Sequence, residues 1–381
     1  MAVGPFGPGG NQGGGTNTMP RALRTLVVPL AVLALVAAAC GNDNGGGGDN
    51  TGNTPECNQD LKVGVAYDVG GIGDKSFNDA ANRGLQAAID EGLVCEDNTK
   101  SLEPDATGSN RDDNVIALAD AGNNLVIAVG FAFSPGINTN AGDYPDTQFA
   151  IIDGYATCGT ACGLDNDNLT NVTDLTFKEN EGSFLVGAAA AIQAGKENCK
   201  TVGFLGGQTG PLIEKFQAGY EAGIAHLDPS IKVLVEYIGD DVTAFNDAVK
   251  GEALSSKMYD DGACIIYHAA GASGAGLFNA AVDADKLAIG VDSDQYLLVS
   301  AEQQPHILTS MLKRVDTAVH DAIQQAGEGT LKAGNTVFGM AEGGVDYSKS
   351  NTELMTDDMI SQLDDLKQQI IDGTITVPDK P

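Results

Sequence analysis

Two apolar spacings alternate along the chain. Short unbroken apolar runs at 61–67 (LKVGVAY), 124–130 (NLVIAVG) and 148–153 (QFAIID) are separated by stretches with a helical repeat. Unbroken runs bounded by turn residues predict parallel strands buried on both faces, and the stretches between them predict covering helices. In the first half helices are expected over 76–91 and 111–122. Ser76 is positioned to cap the first, with Asp79 at the capping-box position. The second half repeats the rhythm. Strands are expected over 201–207, 231–239, 263–271 and 287–292, helices over 210–227 and 243–260, and a short helix before 287. In the helix over 210–227, Leu212, Phe216 and Tyr220 fall on one face. The phrases ADAGNNLVIAVG and YDDGACIIYHAAG echo each other across the halves.

Beyond Asp292 the pattern gives a strand-like entry and a helix (306–327), one or two strands (335–348) and an amphipathic helix (355–373). These pieces are too few to enclose a core, so they are expected to pack on the two existing units. The expected fold class is therefore α/β: two doubly wound open parallel-sheet lobes joined by a multi-crossover hinge. Lobe 1 is expected over 61–172 plus 297–334, and lobe 2 over 173–296 plus 335–381. A cleft between them would face the C-terminal ends of the strands.

Composition adds an address and removes some partners. The 381 residues include 50 glycines, and 42% are hydrophobic, ample for packed cores. The net charge of −31 argues against nucleic acid and against electrostatic docking on an anionic membrane. The first 55 residues contain Arg21 and Arg24, then an apolar run from Leu26 to Ala39, then Cys40. That order is expected of a secretory signal, and the run is short of the roughly 20 residues that a span needs. Ala37-Ala38-Ala39-Cys40 resembles a bacterial lipobox, with Ala37 where that signal usually has Leu. The resemblance implies that Cys40 is lipidated and anchors the protein at the outer face of the cell membrane. Residues 1–40 are thus read as a leader, with Met19 the expected start, and 41–60 as a flexible tether.

Six further cysteines, Cys57, Cys95, Cys158, Cys162, Cys199 and Cys264, form an even set in an exported chain. Fifteen connectivities are open to them. Their places along the elements favour pairing in sequence order. No metal is expected: the only close pair, C-x3-C, has no His nearby, and Asp165-Asn-Asp167-Asn lacks the Gly and Glu of a calcium loop.

Signatures of catalysis are missing. Gly271-Ala-Ser273-Gly274-Ala275 fails the nucleophile-elbow pattern, Gly195-Lys196 is followed by Glu, and no H-E-x-x-H occurs. GFLGGQTG misses the dinucleotide spacing. Of four histidines only His268 falls at a strand end. Binding without a cofactor is favoured over an enzyme.

After the first strand comes Asp68-Val-Gly-Gly-Ile-Gly-Asp-Lys-Ser-Phe77-Asn78, leading into an amphipathic helix. This run resembles the hallmark of the basic membrane protein family, substrate-binding lipoproteins of ABC transporters. FAIIDG (149–154), CIIYHAAGASGAG (264–276), IGVDSDQ (289–295) and LTSMLKRVDTAV (308–319) follow in family order. The resemblance covers roughly 61–350. It implies a type I periplasmic-binding fold, a nucleoside ligand (often a purine nucleoside) and an ABC permease as partner.

The residues fit that expectation. Phe77, in the first helical turn, and Tyr267, at the end of CIIY, could sandwich a flat base. Asp153 ends QFAIID and could accept from base N–H groups, and Asn78 could add a donor and an acceptor. By resemblance Asp292 and Lys313, the latter expected in a helix, hold the ribose through charge-assisted bonds. Asp68 is expected in the same polar ring, and Gly239 could offer backbone. The expected protein is a monomeric lipoprotein that closes on a neutral nucleoside and presents it for import. A sugar- or autoinducer-binding protein, a surface sensor and, more remotely, an α/β enzyme are the rival readings.

Overall fold

The computed structural model describes residues 57–381. The leader over 1–40, with Met19 and Cys40, and most of the tether lie outside the described residues. The first half runs β1 (Val63–Ala66), α1 (Phe77–Asp90), β2 (Thr99–Leu102), α2 (Arg111–Asp120), β3 (Leu125–Val129), α3 (Ser134–Asn140), β4 (Gln148–Ile152) and β5 (Val172–Phe177). The second half runs α4 (Glu179–Glu197), β6 (Thr201–Gln208), α5 (Pro211–Leu227), β7 (Lys232–Gly239), α6 (Ala248–Asp260), β8 (Ile265–Ala269), α7 (Gly274–Ala284) and β9 (Leu287–Asp292). The chain ends with β10 (Ile307–Lys313), α8 (Val315–Glu328), β11 (Gly334–Phe338), β12 (Val345–Tyr347) and α9 (Asp357–Ile371).

These strands form two six-stranded sheets, ordered β11-β5-β4-β3-β1-β2 and β12-β10-β9-β8-β6-β7. The first is parallel throughout. The second is parallel except for β12, which runs antiparallel to β10. The central strands VGVA, LVIAV and IIYHA are buried at every position, as two-sided helix cover requires.

The lobe boundaries differ from expectation. β5 joins the first sheet rather than opening the second lobe, and β11 carries the first sheet to Phe338. β10 joins the second sheet beside β9, although 297–334 was expected in lobe 1. The reason is pairing: the buried run of β10 extends a parallel ladder that β9 would otherwise leave open. The chain thus crosses between sheets after β5, after β10 and after β11. Lys178 N–H donates to the Phe338 carbonyl at 3.1 Å and Arg314 N–H to that of Gly344 at 2.9 Å, tying the three crossings together.

Four elements escaped the sequence pattern, the short α3 among them. β2 is a polar edge strand (TKSL). β5 hides Thr173, Asp174 and Thr176 in its interior, and Asp174 is satisfied by the N–H groups of Ala156 and Thr157. α4 is buried nearly all round, so it has no polar face to betray its period. Its close packing against α5 needs glycine. A Cβ on Gly187 would lie 2.2 Å from the Tyr220 carbonyl oxygen, and one on Gly223 2.0 Å from that of Phe184.

The sulfurs of Cys57 and Cys95, Cys158 and Cys162, and Cys199 and Cys264 stand at bonding distance, with Cα separations of 4.9, 5.7 and 6.4 Å. Among the described residues no helix is long and apolar enough to cross a membrane.

Candidate functional site

Parallel strands end on the same edge of a sheet, and here the C-terminal edges of both sheets face one cavity. The first half contributes Asp68 and Asp74 after β1, Phe77 and Asn78 of α1, Phe131 after β3 and Asp153 after β4. The second contributes Phe216 of α5, Phe245 before α6, Asp292 ending β9 and Lys313 ending β10. The open space is about 580 Å³, part of it continuous with solvent.

Charge is concentrated at one end. Lys313 Nζ donates to Asp153 Oδ2 at 2.5 Å. It also lies 3.2 Å from Glu179 Oε1, an ion pair without hydrogen-bond geometry. The second Glu179 oxygen pairs with Lys215 at 3.3 Å. The rings of Phe177, Phe77 and Phe216 surround the Lys313 ammonium at 5.0, 5.3 and 5.4 Å. Burial works to push Lys313 down, but Asp153, Glu179 and Asp292 outweigh it and hold the ammonium above its ordinary range. Burial pushes the Asp153 carboxyl up to about 6; the charges of Glu179 and Asp292 add to this and Lys313 resists it. Asp292 is raised first by burial too, against the pull of Lys313 and the Ser76 hydroxyl, which donates to it at 2.5 Å. Asp153 Oδ1 is buried and has no hydrogen-bond partner.

The other end is already internally bonded. Arg111 pairs with Asp68, its Nε donating at 2.6 Å. Burial raises Asp68, and Arg111 draws it back. Asn78 accepts the Asp68 N–H at 3.0 Å and donates to Asp74 at 3.0 Å, so its acceptor oxygen serves the loop rather than standing open. Asp74, not Ser76, caps α1: its carboxylate takes the N–H groups of Ser76, Asn78 and Asp79 at 2.8, 2.8 and 3.1 Å. Ser76 is unavailable because its hydroxyl reaches Asp292. Asp79 instead holds the N–H groups of Gly73 and Lys75.

Six expected residues meet at this cavity: Asp68, Phe77, Asn78, Asp153, Asp292 and Lys313. Lys313 arrives on a strand rather than a helix, and is buried rather than solvated. Tyr267 does not line the cavity. It sits mid-strand in β8, fully buried, 5.2 Å from the Tyr220 ring and 5.6 Å from Phe204, with its hydroxyl 3.1 Å from that of Ser183. Tyr267 and Ala269 share one face of β8, but Tyr267 lies two residues back from the strand's C-terminal end, inside the core, and only Ala269 reaches the cavity. Gly239 also lies outside the lining; its carbonyl accepts the Thr209 N–H at 2.9 Å. His268 is buried away from the cavity, bonded to Gln295.

Several contributors were missed. Phe245 and Phe131 meet edge-on across the cleft at 6.3 Å, one from each half. Phe245 lies in the short helical turn Val242–Asn246 between β7 and α6, on the C-terminal side of a parallel strand, and that placement was the available signal. Glu179 was missed with its helix. Phe216 was read as part of a packing face.

A family model described as "Bmp: ABC transporter substrate-binding protein PnrA-like" matches residues 61–381. The chain is 31% identical to the "CD4+ T-cell-stimulating antigen" of Listeria monocytogenes, over 94% of this chain and 99% of that protein. It is also 31% identical to the "ABC transporter nucleoside-binding protein BmpA" of Lactococcus lactis, again over 94% and 99%. Among solved structures, an ABC transporter solute-binding protein from Aeropyrum pernix superimposes with a TM-score of 0.71 at 26% identity, covering 84% of this chain and 94% of that one.

Proposed function

The chain belongs to the Bmp family of PnrA-like substrate-binding proteins of ABC transporters, and on that premise we propose that it captures a nucleoside, with a purine nucleoside favoured, and delivers it to a membrane permease. The observation that carries this reading is one cavity with a ring from each half, Phe77 and Phe245, and with Asp153, Asp292 and Lys313 in its lining. Two rings suit the faces of a base. Asp292 and a Lys313 N–H not given to Asp153 suit the vicinal hydroxyls of a ribose. Asp153 Oδ1, buried without a donor, suits an N–H of the ligand.

The lining holds four carboxylates and one lysine, and that lysine is already paired. A neutral nucleoside therefore fits better than a phosphorylated one. Binding needs no covalent step and no cofactor, and the protein is read as a carrier rather than an enzyme. Export, a lipid anchor at Cys40, three disulfides and a monomeric state complete the proposal.

Calorimetry with inosine, adenosine, guanosine and cytidine tests it, with ribose and arabinose as controls. Heat from at least one nucleoside is expected. Heat from a sugar alone, or from none of them, overturns the ligand assignment.

A further inference from the structure

Beside the cavity mouth the two halves are joined by hydrogen bonds that do not line the cavity. Lys75 and Ser76 belong to the loop before α1 in the first half. Their backbone carbonyls point at the segment after β9 in the second half. Gln295 Nε2 donates to the Lys75 carbonyl at 3.1 Å. The Ser293 hydroxyl donates to the Ser76 carbonyl at 3.0 Å. From the exposed face of α1, Arg83 donates to the Ser293 oxygen at 2.9 Å. Ser76, Ser293 and Gln295 are all buried.

Each side is built to present these groups. Lys75 has φ 54°, the left-handed region, which costs an L-residue roughly 1–2 kcal/mol. That turn aims successive carbonyls out of the first half. Opposite, Gln295 has no freedom to rotate: its Oε1 accepts the Val291 N–H at 2.8 Å and faces His268 Nε2 at 2.9 Å. With the oxygen held by a backbone donor, the amide nitrogen must face Lys75. His268 Nε2 must then carry its proton, and the ring's Nδ1 has no partner. The Val291 N–H thus holds Gln295 in one orientation, and burial lowers His268 to about 4.

We propose that Lys75, Ser76 and Arg83 on one half, with Ser293 and Gln295 on the other, form a latch that holds the cleft closed. Arg83, Ser293 and Gln295 are positioning residues for binding: they set how long the ligand stays without touching it. Because the bonds do not pass through the ligand, the latch also populates the closed arrangement in the free protein. Ser76 links latch and cavity, since its hydroxyl bonds Asp292 while its carbonyl takes Ser293.

The inference rests on the two-lobed binding reading above, and its test has an arm that needs no ligand. Small-angle X-ray scattering compares ligand-free wild type with Ser293→Ala and with Gln295→Glu. The second variant is isosteric and sets a carboxylate oxygen against the Lys75 carbonyl; the first leaves the cavity lining untouched if the second folds poorly. Both variants are expected to be more expanded than wild type. Stopped-flow dissociation of inosine is expected to quicken about two- to tenfold, the range for one lost hydrogen bond, with association no slower than in wild type. Scattering curves that coincide for all three proteins overturn the latch, whether or not a nucleoside binds. A slowed association with unchanged dissociation overturns it as well.

Discussion

Asp153 and Asp292 occupy the same place in the two halves of the molecule. Each stands at the C-terminal end of the fourth strand of its half, next to the strand that ends at a crossing, and each has a left-handed backbone, φ 63° and 62°. Both carboxylates reach the cavity, and Lys313 responds to both. The duplicated βα rhythm thus delivers one acid from each lobe to a single ammonium. Asp tolerates this conformation better than most residues.

Removing that ammonium leaves Asp153 buried and uncompensated and Glu179 with Lys215 as its one remaining counter-ion. Lys313→Met is expected to lower stability by about 3–5 kcal/mol, as for other broken buried pairs. Thermal melts at pH 7 and pH 5 check this: protonation of Asp153 at pH 5 should recover part of the loss. A deficit of the same size at both pH values would mean that packing, not charge, is what Lys313 supplies.

Ligand affinity should depend on the protonation of Asp153. Its carboxyl, raised to about 6, is ionised at pH 7.5 and accepts a hydrogen bond; below 6 it takes a proton and ceases to accept through both oxygens. Inosine binding is expected to weaken as pH falls through 6, by about tenfold per unit once below it. Asp153→Asn should flatten the profile. A wild-type affinity constant from pH 7.5 to 5 removes Asp153 from ligand recognition.

The stacking partner of Phe77 is predicted to be Phe245. Phe245→Ala should cost about 1–3 kcal/mol of nucleoside binding with little change in melting temperature. Tyr267→Ala should instead cost about 3–5 kcal/mol of stability, as a large core truncation does. Calorimetry and melting of the same two variants decide it; the reverse pattern would restore Tyr267 to the site.

Asp292→Ala should erase the preference for a riboside over its free base. Competition between inosine and hypoxanthine measures this directly, and an unchanged ratio would count against a ribose role.

The cysteine pairs should differ in worth. Closing the 65-residue separation of Cys199 and Cys264 is worth about 4 kcal/mol on a chain-entropy estimate, and the 4-residue separation of Cys158 and Cys162 only about 2. Serine pairs at each position, compared by denaturant titration, should keep that order. Equal losses would show that the loop-length account does not govern here.

Much of this was legible in the chain. Continuous apolar runs announced β1, β3, β4, β6, β8 and β9, because parallel strands covered on both faces have no reason to alternate. The D-x-G-G-x-x-D-K-S-F-N run marked the loop and helix that supply Asp68, Asp74, Phe77 and Asn78. Strand-final aspartates were readable because residues that follow parallel strands all arrive at one edge. β5 and α4 were not legible: one buries polar side chains, the other is apolar on nearly every side, and each breaks the period by which its type is recognised.

The sequence by itself determined the class of fold, the family and the edge on which a site must form. Only the tertiary structure decided which rings face the cavity and what the charges do. Tyr267 stands mid-strand, two residues short of the edge and inside the core, whereas the turn after β7 delivers Phe245 to the cleft. Lys313 has the chemistry of a surface residue and becomes a buried counter-ion only because β10 stays in the second sheet beside β9 and ends against Asp153. Ser76, well placed to cap its own helix, instead bonds an aspartate 216 residues away. Local pattern fixes what a segment can form, but the partners that compete for a hydroxyl or an ammonium come from distant segments, and only folding brings them within reach.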